Sequence, residues 1–242
     1  NSTFENSGTS DTLFNHSSWL NGSFNGGLMT NNSAWKNGTW YNGKIENSTW
    51  YDGTFNGGIF SGSTWQNGIF NGGEIHDSTW QNGTFNGGII FKSTWEDGVF
   101  NNGGITDKSI WENGHFYGGK FENSTWQNGS FYKGSMFGSW WVTGNLYFGL
   151  MNSVDWSGGT WHNGIANSVN FSGGTWENGV FNYGYFYKGA WYNGSFNSGF
   201  FTGSTNSTWY GGNFYYGAFG GAWSGGTFYT GKIETNMPSN NI

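Results

Sequence analysis

Four histidines, His16, His76, His115 and His162, are the first residues to test for chemistry. An imidazole can ligate a metal or move a proton near neutral pH. Metal ligands, however, recur at short spacings, and these four stand far apart in the chain. Carboxylates are scattered. Glu96 and Asp97 form the closest pair within the repeat, while Glu112 and Glu177 each follow a tryptophan. Adjacent residues of an extended chain point to opposite faces, whereas general acid–base pairs must converge in a cleft. Glycine runs such as Asn56-Gly57-Gly58 invite comparison with a phosphate loop, but no G-x-x-x-x-G-K-[ST] occurs and similar glycines return throughout the chain. Cysteine is absent, which removes disulfides and thiolate sites. The expectation is a protein that is not an enzyme, with no catalytic residue, no metal and no cofactor.

The aromatic residues carry more information. Tyrosines concentrate at Tyr117, Tyr132, Tyr147, Tyr187, Tyr192, Tyr210, Tyr215 and Tyr216. A ring with a polar tip suits contact with sugars or proteins, so these eight form the candidate ligand face. Their placement depends on a register in the rest of the chain. From Trp35 a large apolar residue returns every five positions: Trp40, Ile45, Trp50, Phe55, Phe60, Trp65 and onward to Ile105. One extra residue in the segment TDKSI shifts the frame. The pattern resumes at Trp111 and runs through Phe201, with further slips before Trp209 and Trp223. Of the 17 tryptophans only Trp140 lies off the register, whereas all 13 tyrosines do. A hydroxyl is costly to bury unpaired, so this segregation marks an inside and an outside.

Two residues before most register positions stands a glycine or serine, as at Gly53, Gly58, Ser63, Gly68, Gly73 and Ser78. Asn or Asp commonly precedes the glycine, a combination that favours tight turns. Turns this frequent exclude helix. Trp50, Trp65, Trp80 and Trp95 recur every fifteen residues, so three five-residue sides make one coil. In the coil holding both Trp156 and Trp161 the third position shrinks to Ala166, as close packing requires. The predicted fold is an all-β β-solenoid (β-helix) of about sixteen coils with an aromatic core. The alternative is a long β-meander of short hairpins, since Asn-Gly also signals hairpins. The expected organisation is an irregular N-terminal part over 1–34, the repeat over 35–233 and a polar tail or linker over 234–242 containing Pro238.

An aromatic every fifth residue with a small residue two before it resembles the pentapeptide-repeat β-helix family. Here Gly takes the place of the family's Ala and Trp that of its Leu, and three sides replace the usual four. The W-x-N-G turn is similar, more weakly, to MORN repeats. Chains of the form F-N-G-G-x-W-x-N-G are similar to repetitive proteins of phage virions and microbial surface fibres. That resemblance implies a structural or adhesive role and transfers no site residues.

Composition narrows the partners. The net charge is −6, charged residues are 9% and arginine is absent, which argues against nucleic acid. No apolar run is long enough to span a membrane. The expected function is that of a structural protein of an extracellular fibre or virion appendage, self-associating end to end, joined to other fibre proteins, or adhesive toward surface glycans. One alternative is a carbohydrate-binding module using the tyrosine stripe. A lesser one is an ice-binding solenoid using Thr49, Thr64, Thr79, Thr94 and Thr125. Sequons are dense, and Asn47, Asn82, Asn123, Asn128, Asn193 and Asn206 are candidate N-glycosylation sites in a secreted chain. The chain opens on Asn1 rather than Met, as a processed leader or a fragment would.

Overall fold

The computed structural model describes residues 2–5, 13–202 and 206–233. The proposed tail at 234–242, with Pro238, and positions 1 and 6–12 of the N-terminal part lie outside the described residues. The chain is an all-β parallel solenoid of about fifteen turns, close to the sixteen expected. Parallel pairing between strands one coil apart excludes the meander, whose neighbours would run antiparallel. Two compact units divide the chain, Asn1–Ser124 and Thr125–Ile242.

In the first unit one coil is typified by the strands Thr64–Trp65, Ile69–Phe70 and Glu74–His76, its first, second and third sides. Each register residue faces its counterpart one coil away. Trp50, Trp65, Trp80 and Trp95 pair in series on the first side. Phe55, Phe70, Phe85 and Phe100 do so on the second, and Ile45, Phe60, Ile75 and Ile90 on the third. These side chains are fully or almost fully buried. The indoles stack nearly parallel, with centroids 4.7 Å apart for Trp65–Trp80 and Trp80–Trp95. Within a coil Trp80 meets Phe85 edge to face at 6.0 Å. Both geometries suit the ring quadrupole. Burying one indole is worth about 4–6 kcal/mol. Trp50, Trp65, Trp80 and Trp95 each bury the indole N–H without a hydrogen-bond partner, at about 1–3 kcal/mol apiece. Burial wins.

The corners explain the small residues. At Gly73, with φ +114°, an added Cβ would lie 2.4 Å from the Gly58 carbonyl oxygen of the preceding coil. Only glycine fits both that dihedral and that approach. The corner leading into tryptophan is built differently, from buried serines. The backbone N–H of Ser63 donates to Ser78 Oγ at 3.1 Å, and Ser78 Oγ donates to the His76 carbonyl at 2.6 Å. The same serine ladder links Ser48, Ser93, Ser109 and Ser124. One-residue insertions are absorbed at this corner. Asn31 and Asn32, then Asp107 and Lys108, take positive φ, and Trp19 still pairs with Trp35 and Trp95 with Trp111.

The second unit, with sides numbered from Thr125–Trp126, repeats this plan with one change. Its tryptophans occupy the first side at Trp126, Trp141 and Trp156 and the second side at Trp161, Trp176, Trp191, Trp209 and Trp223. Phe171, Phe186, Phe201 and Phe219 continue the first side. The exchange occurs where Trp156 meets Trp161 edge to face at 5.5 Å, and Ala166 makes room for them. The corner into the first side changes with it, from Ser139 through the buried Val154 and Val169 to Gly184. The serine corner reappears before the relocated tryptophans as the fully buried Ser207. Two seven-residue strands, Ile165–Phe171 and Val180–Phe186, round the altered corner with an irregular register.

Candidate functional site

Outward residues flank each register position, so parallel pairing turns them into columns. In the second unit the residues after the second-side core run Tyr132, Tyr147, His162, Glu177, Tyr192 and Tyr210. Tyr132 stacks on Tyr147 at 4.8 Å and Tyr147 on His162 at 4.7 Å. His162 Nδ1 lies 2.6 Å from Glu177 Oε2, and Tyr192 stacks on Tyr210 at 4.9 Å. Four of the eight tyrosines singled out from the sequence belong to this column: Tyr132, Tyr147, Tyr192 and Tyr210.

Three others of the second unit, Tyr187, Tyr215 and Tyr216, stand off that face. Tyr187 follows Phe186 on the first side, with its ring 5.2 Å from Tyr185. Tyr215 lies on the third side and stacks on Tyr229 at 4.7 Å. Tyr216, the most exposed of the eight at 61%, lines a separate groove. In the first unit, Tyr117 is exposed, with His115 at 6.2 Å between ring centroids. The dense run of C-terminal tyrosines is thus dealt out to three sides.

Other columns hold together by amides. Asn71 Nδ2 donates to Asn56 Oδ1 at 2.9 Å, and Asn86 and Asn101 extend the ladder. In the second unit Asn167, Asn182 and Asn197 continue from Asn152 at 2.7 Å per step. Asn–Asn ladders of this kind recur in cross-β stacks. The threonine column Thr49, Thr64, Thr79 and Thr94 pairs in register in the first unit, but Ile110 takes the next position, and all four threonines are half-buried. Thr125 belongs to the second unit.

Several of the polar residues have structural partners. Asp97 Oδ1 accepts from the Gly98 N–H at 2.7 Å, closing a turn, as Asn82 does for Gly83. His76 Nε2 lies 2.9 Å from Glu74 Oε2 and its ring sits against Phe91. Lys44 pairs with Glu46. Among the described residues no three His, Asp or Glu side chains gather as a metal set, and no helix is long and apolar enough to cross a membrane. The six sequon asparagines Asn47, Asn82, Asn123, Asn128, Asn193 and Asn206 are all exposed.

The partner of the off-register Trp140 and one groove escaped the sequence reading. Trp140 stands 63% exposed on the first side of the second unit, its Nε1 donating to Asp155 Oδ2 at 2.9 Å, while Asn170 donates to Asp155 Oδ1 at 2.7 Å. A groove of about 510 Å³ runs over the corner between the third and first sides. Tyr183, Phe200, Tyr216 and Lys232 flank it, and Ser198 and Gly217 are among its small lining residues. The signal for it was present as one column, Tyr183, Ser198 and Tyr216, read two positions before Tyr185, Phe200 and Ala218. Comparison with known proteins gives no match to a family model, a curated protein or a solved structure.

Proposed function

We propose that the chain is a non-enzymatic structural segment of an extracellular fibre or virion appendage, which assembles by coil-on-coil stacking and adheres through its aromatic columns. The observation that carries this reading is the coil-on-coil stack, in which each coil pairs its strands in parallel with the coil before it and closes its aromatic core upon it. Among the described residues Ala222–Trp223, Thr227–Phe228 and Lys232–Ile233 pair with strands of the preceding coil. Phe228 and Ile233 are half-buried there, whereas Phe214 and Phe219 one coil earlier are fully buried. A coil that pairs in parallel with its own repeat carries the strands and core rings that would match another copy of the same coil.

Sedimentation velocity across a wide concentration range, with negative-stain microscopy, tests the assembly. The expected result is concentration-dependent growth into elongated particles. A chain that stays monomeric at every concentration overturns the assembly half of the reading.

A further inference from the structure

The groove over the third corner of the second unit is a gap in a column of rings. Elsewhere in this unit, aromatic residues in successive coils close on one another. Tyr132–Tyr147, Tyr192–Tyr210 and Tyr215–Tyr229 all stack at 4.7–4.9 Å. Tyr183, Ser198 and Tyr216 occupy one column by the same register, because each precedes by two a member of the paired series Tyr185, Phe200 and Ala218. The middle ring is missing. Both tyrosines line the groove and stand 51% and 61% exposed. Two strand spacings separate their coils, roughly 9.6 Å. One ring inserted between them would lie at about the stacking distance from each.

The floor cannot close by gaining a side chain. Gly199 at φ +123° and Gly217 at φ +131° would each place a Cβ 2.3 Å or less from the carbonyl oxygen of the coil before. The floor is therefore set by the backbone of the corner, while the gap above it is left by the small side chain of Ser198. The groove's lining includes the phenols of Tyr183 and Tyr216 and the ring of Phe200, with Ser198, Thr230 and Lys232 as further polar residues. Neutral hydroxyls outnumber the one charge. That chemistry recognises a ring with apolar C–H faces and a hydroxyl-bearing edge.

We infer that this slot binds a pyranose ring of a neutral glycan, sandwiched between Tyr183 and Tyr216 with its hydroxyls toward Ser198, Thr230 and Lys232. The inference rests on the adhesive half of the function proposed above and names its ligand class. A volume of about 510 Å³ falls within the ordinary range of small-ligand sites.

The test titrates the full chain, by calorimetry and by NMR, with tetrasaccharides of β-1,4-glucose, β-1,4-N-acetylglucosamine and β-1,4-mannose. At least one is expected to bind saturably. Tyr183→Ala and Tyr216→Ala should each weaken it by about tenfold, the loss typical of an aromatic anchor. Ser198→Tyr is the decisive variant. It completes the ring column and adds aromatic surface, so a merely sticky surface would bind more, whereas a slot would be filled and binding lost. Its unfolding midpoint should equal or exceed that of the parent. Failure of all three saccharides, parental affinity in Ser198→Tyr, or binding of indole in their place would overturn the inference. A loss of self-association in Ser198→Tyr would instead assign the slot to a second copy and overturn it as well. Sedimentation run in parallel separates the two readings: binding without assembly refutes only the fibre, and assembly without binding refutes only the slot.

Discussion

Neighbouring glycines at one corner offer a sharp test of why the coil turns as it does. Gly72 and Gly73 both have positive φ, +88° and +114°. A Cβ on Gly72 would meet nothing within 4 Å, while one on Gly73 would lie 2.4 Å from the Gly58 carbonyl oxygen. Gly72→Ala therefore carries only the dihedral strain, about 1–2 kcal/mol, partly offset by about 0.4–1 kcal/mol of lost unfolded-state entropy. Gly73→Ala carries the same strain and must also open about 1 Å between coils to reach ordinary contact. That oxygen is the acceptor for the Glu74 N–H at 2.9 Å. Opening the coils sacrifices this hydrogen bond and orphans its donor, a further cost of about 1–3 kcal/mol. The expected destabilisation is about 1 kcal/mol for Gly72→Ala and about 3 kcal/mol for Gly73→Ala. Guanidinium unfolding followed by tryptophan fluorescence measures the difference, and hydrogen exchange at the Glu74 amide locates it. Equal costs at the two positions would refute the coil-contact argument and leave φ alone as the reason for glycine.

Further outcomes follow from the core and surface. Ser78→Ala removes the acceptor for the Ser63 N–H and should cost about 2–3 kcal/mol in the same unfolding assay; a cost below about 0.5 kcal/mol would make the serine ladder incidental. Trp80→Ala, which empties a fully stacked position, should cost about 3–5 kcal/mol. Ala166→Leu should overpack the coil shared with Trp156 and Trp161 by about 1–3 kcal/mol, and Trp161→Phe in the same chain should recover part of that loss. Trp140 is the strongly exposed indole, so Trp140→Phe should remove most of the acrylamide-quenchable fluorescence; unchanged quenching would show that the other indoles are reached by solvent.

Much of the fold was legible because one residue in five is committed to the core, and a turn glycine or serine marks most steps. Trp50 through Phe100, the segregation of tyrosine from the interior, and the volume exchange at Trp156, Trp161 and Ala166 all read directly. The change of side that Trp161 brings is harder to see, since the five-residue beat continues without interruption and only pairing between coils reveals which tryptophans share a column. The groove is harder still. Its walls lie two positions off the register, and its defining feature is a missing ring at Ser198, which has meaning only after Tyr183 and Tyr216 are known to bracket it. Clustering in sequence misled in the opposite direction: Tyr187, Tyr210 and Tyr215 look like one patch but stand on different sides of the coil.

The five-residue step between Trp156 and Trp161 has an evolutionary consequence. Duplicating fifteen residues lengthens such a chain and leaves every surface column as it was. Gaining or losing five rotates all downstream columns by one side while the core register survives, since any side accepts Trp, Phe or a smaller residue when its neighbours compensate. Small slips in copying a repetitive gene can thus readdress which face presents asparagine amides and which presents tyrosine rings, without passing through an unfolded intermediate sequence. Surface display in this architecture varies by unit shifts of a conserved interior, a route to new adhesive patterns that needs no change in any individual repeat.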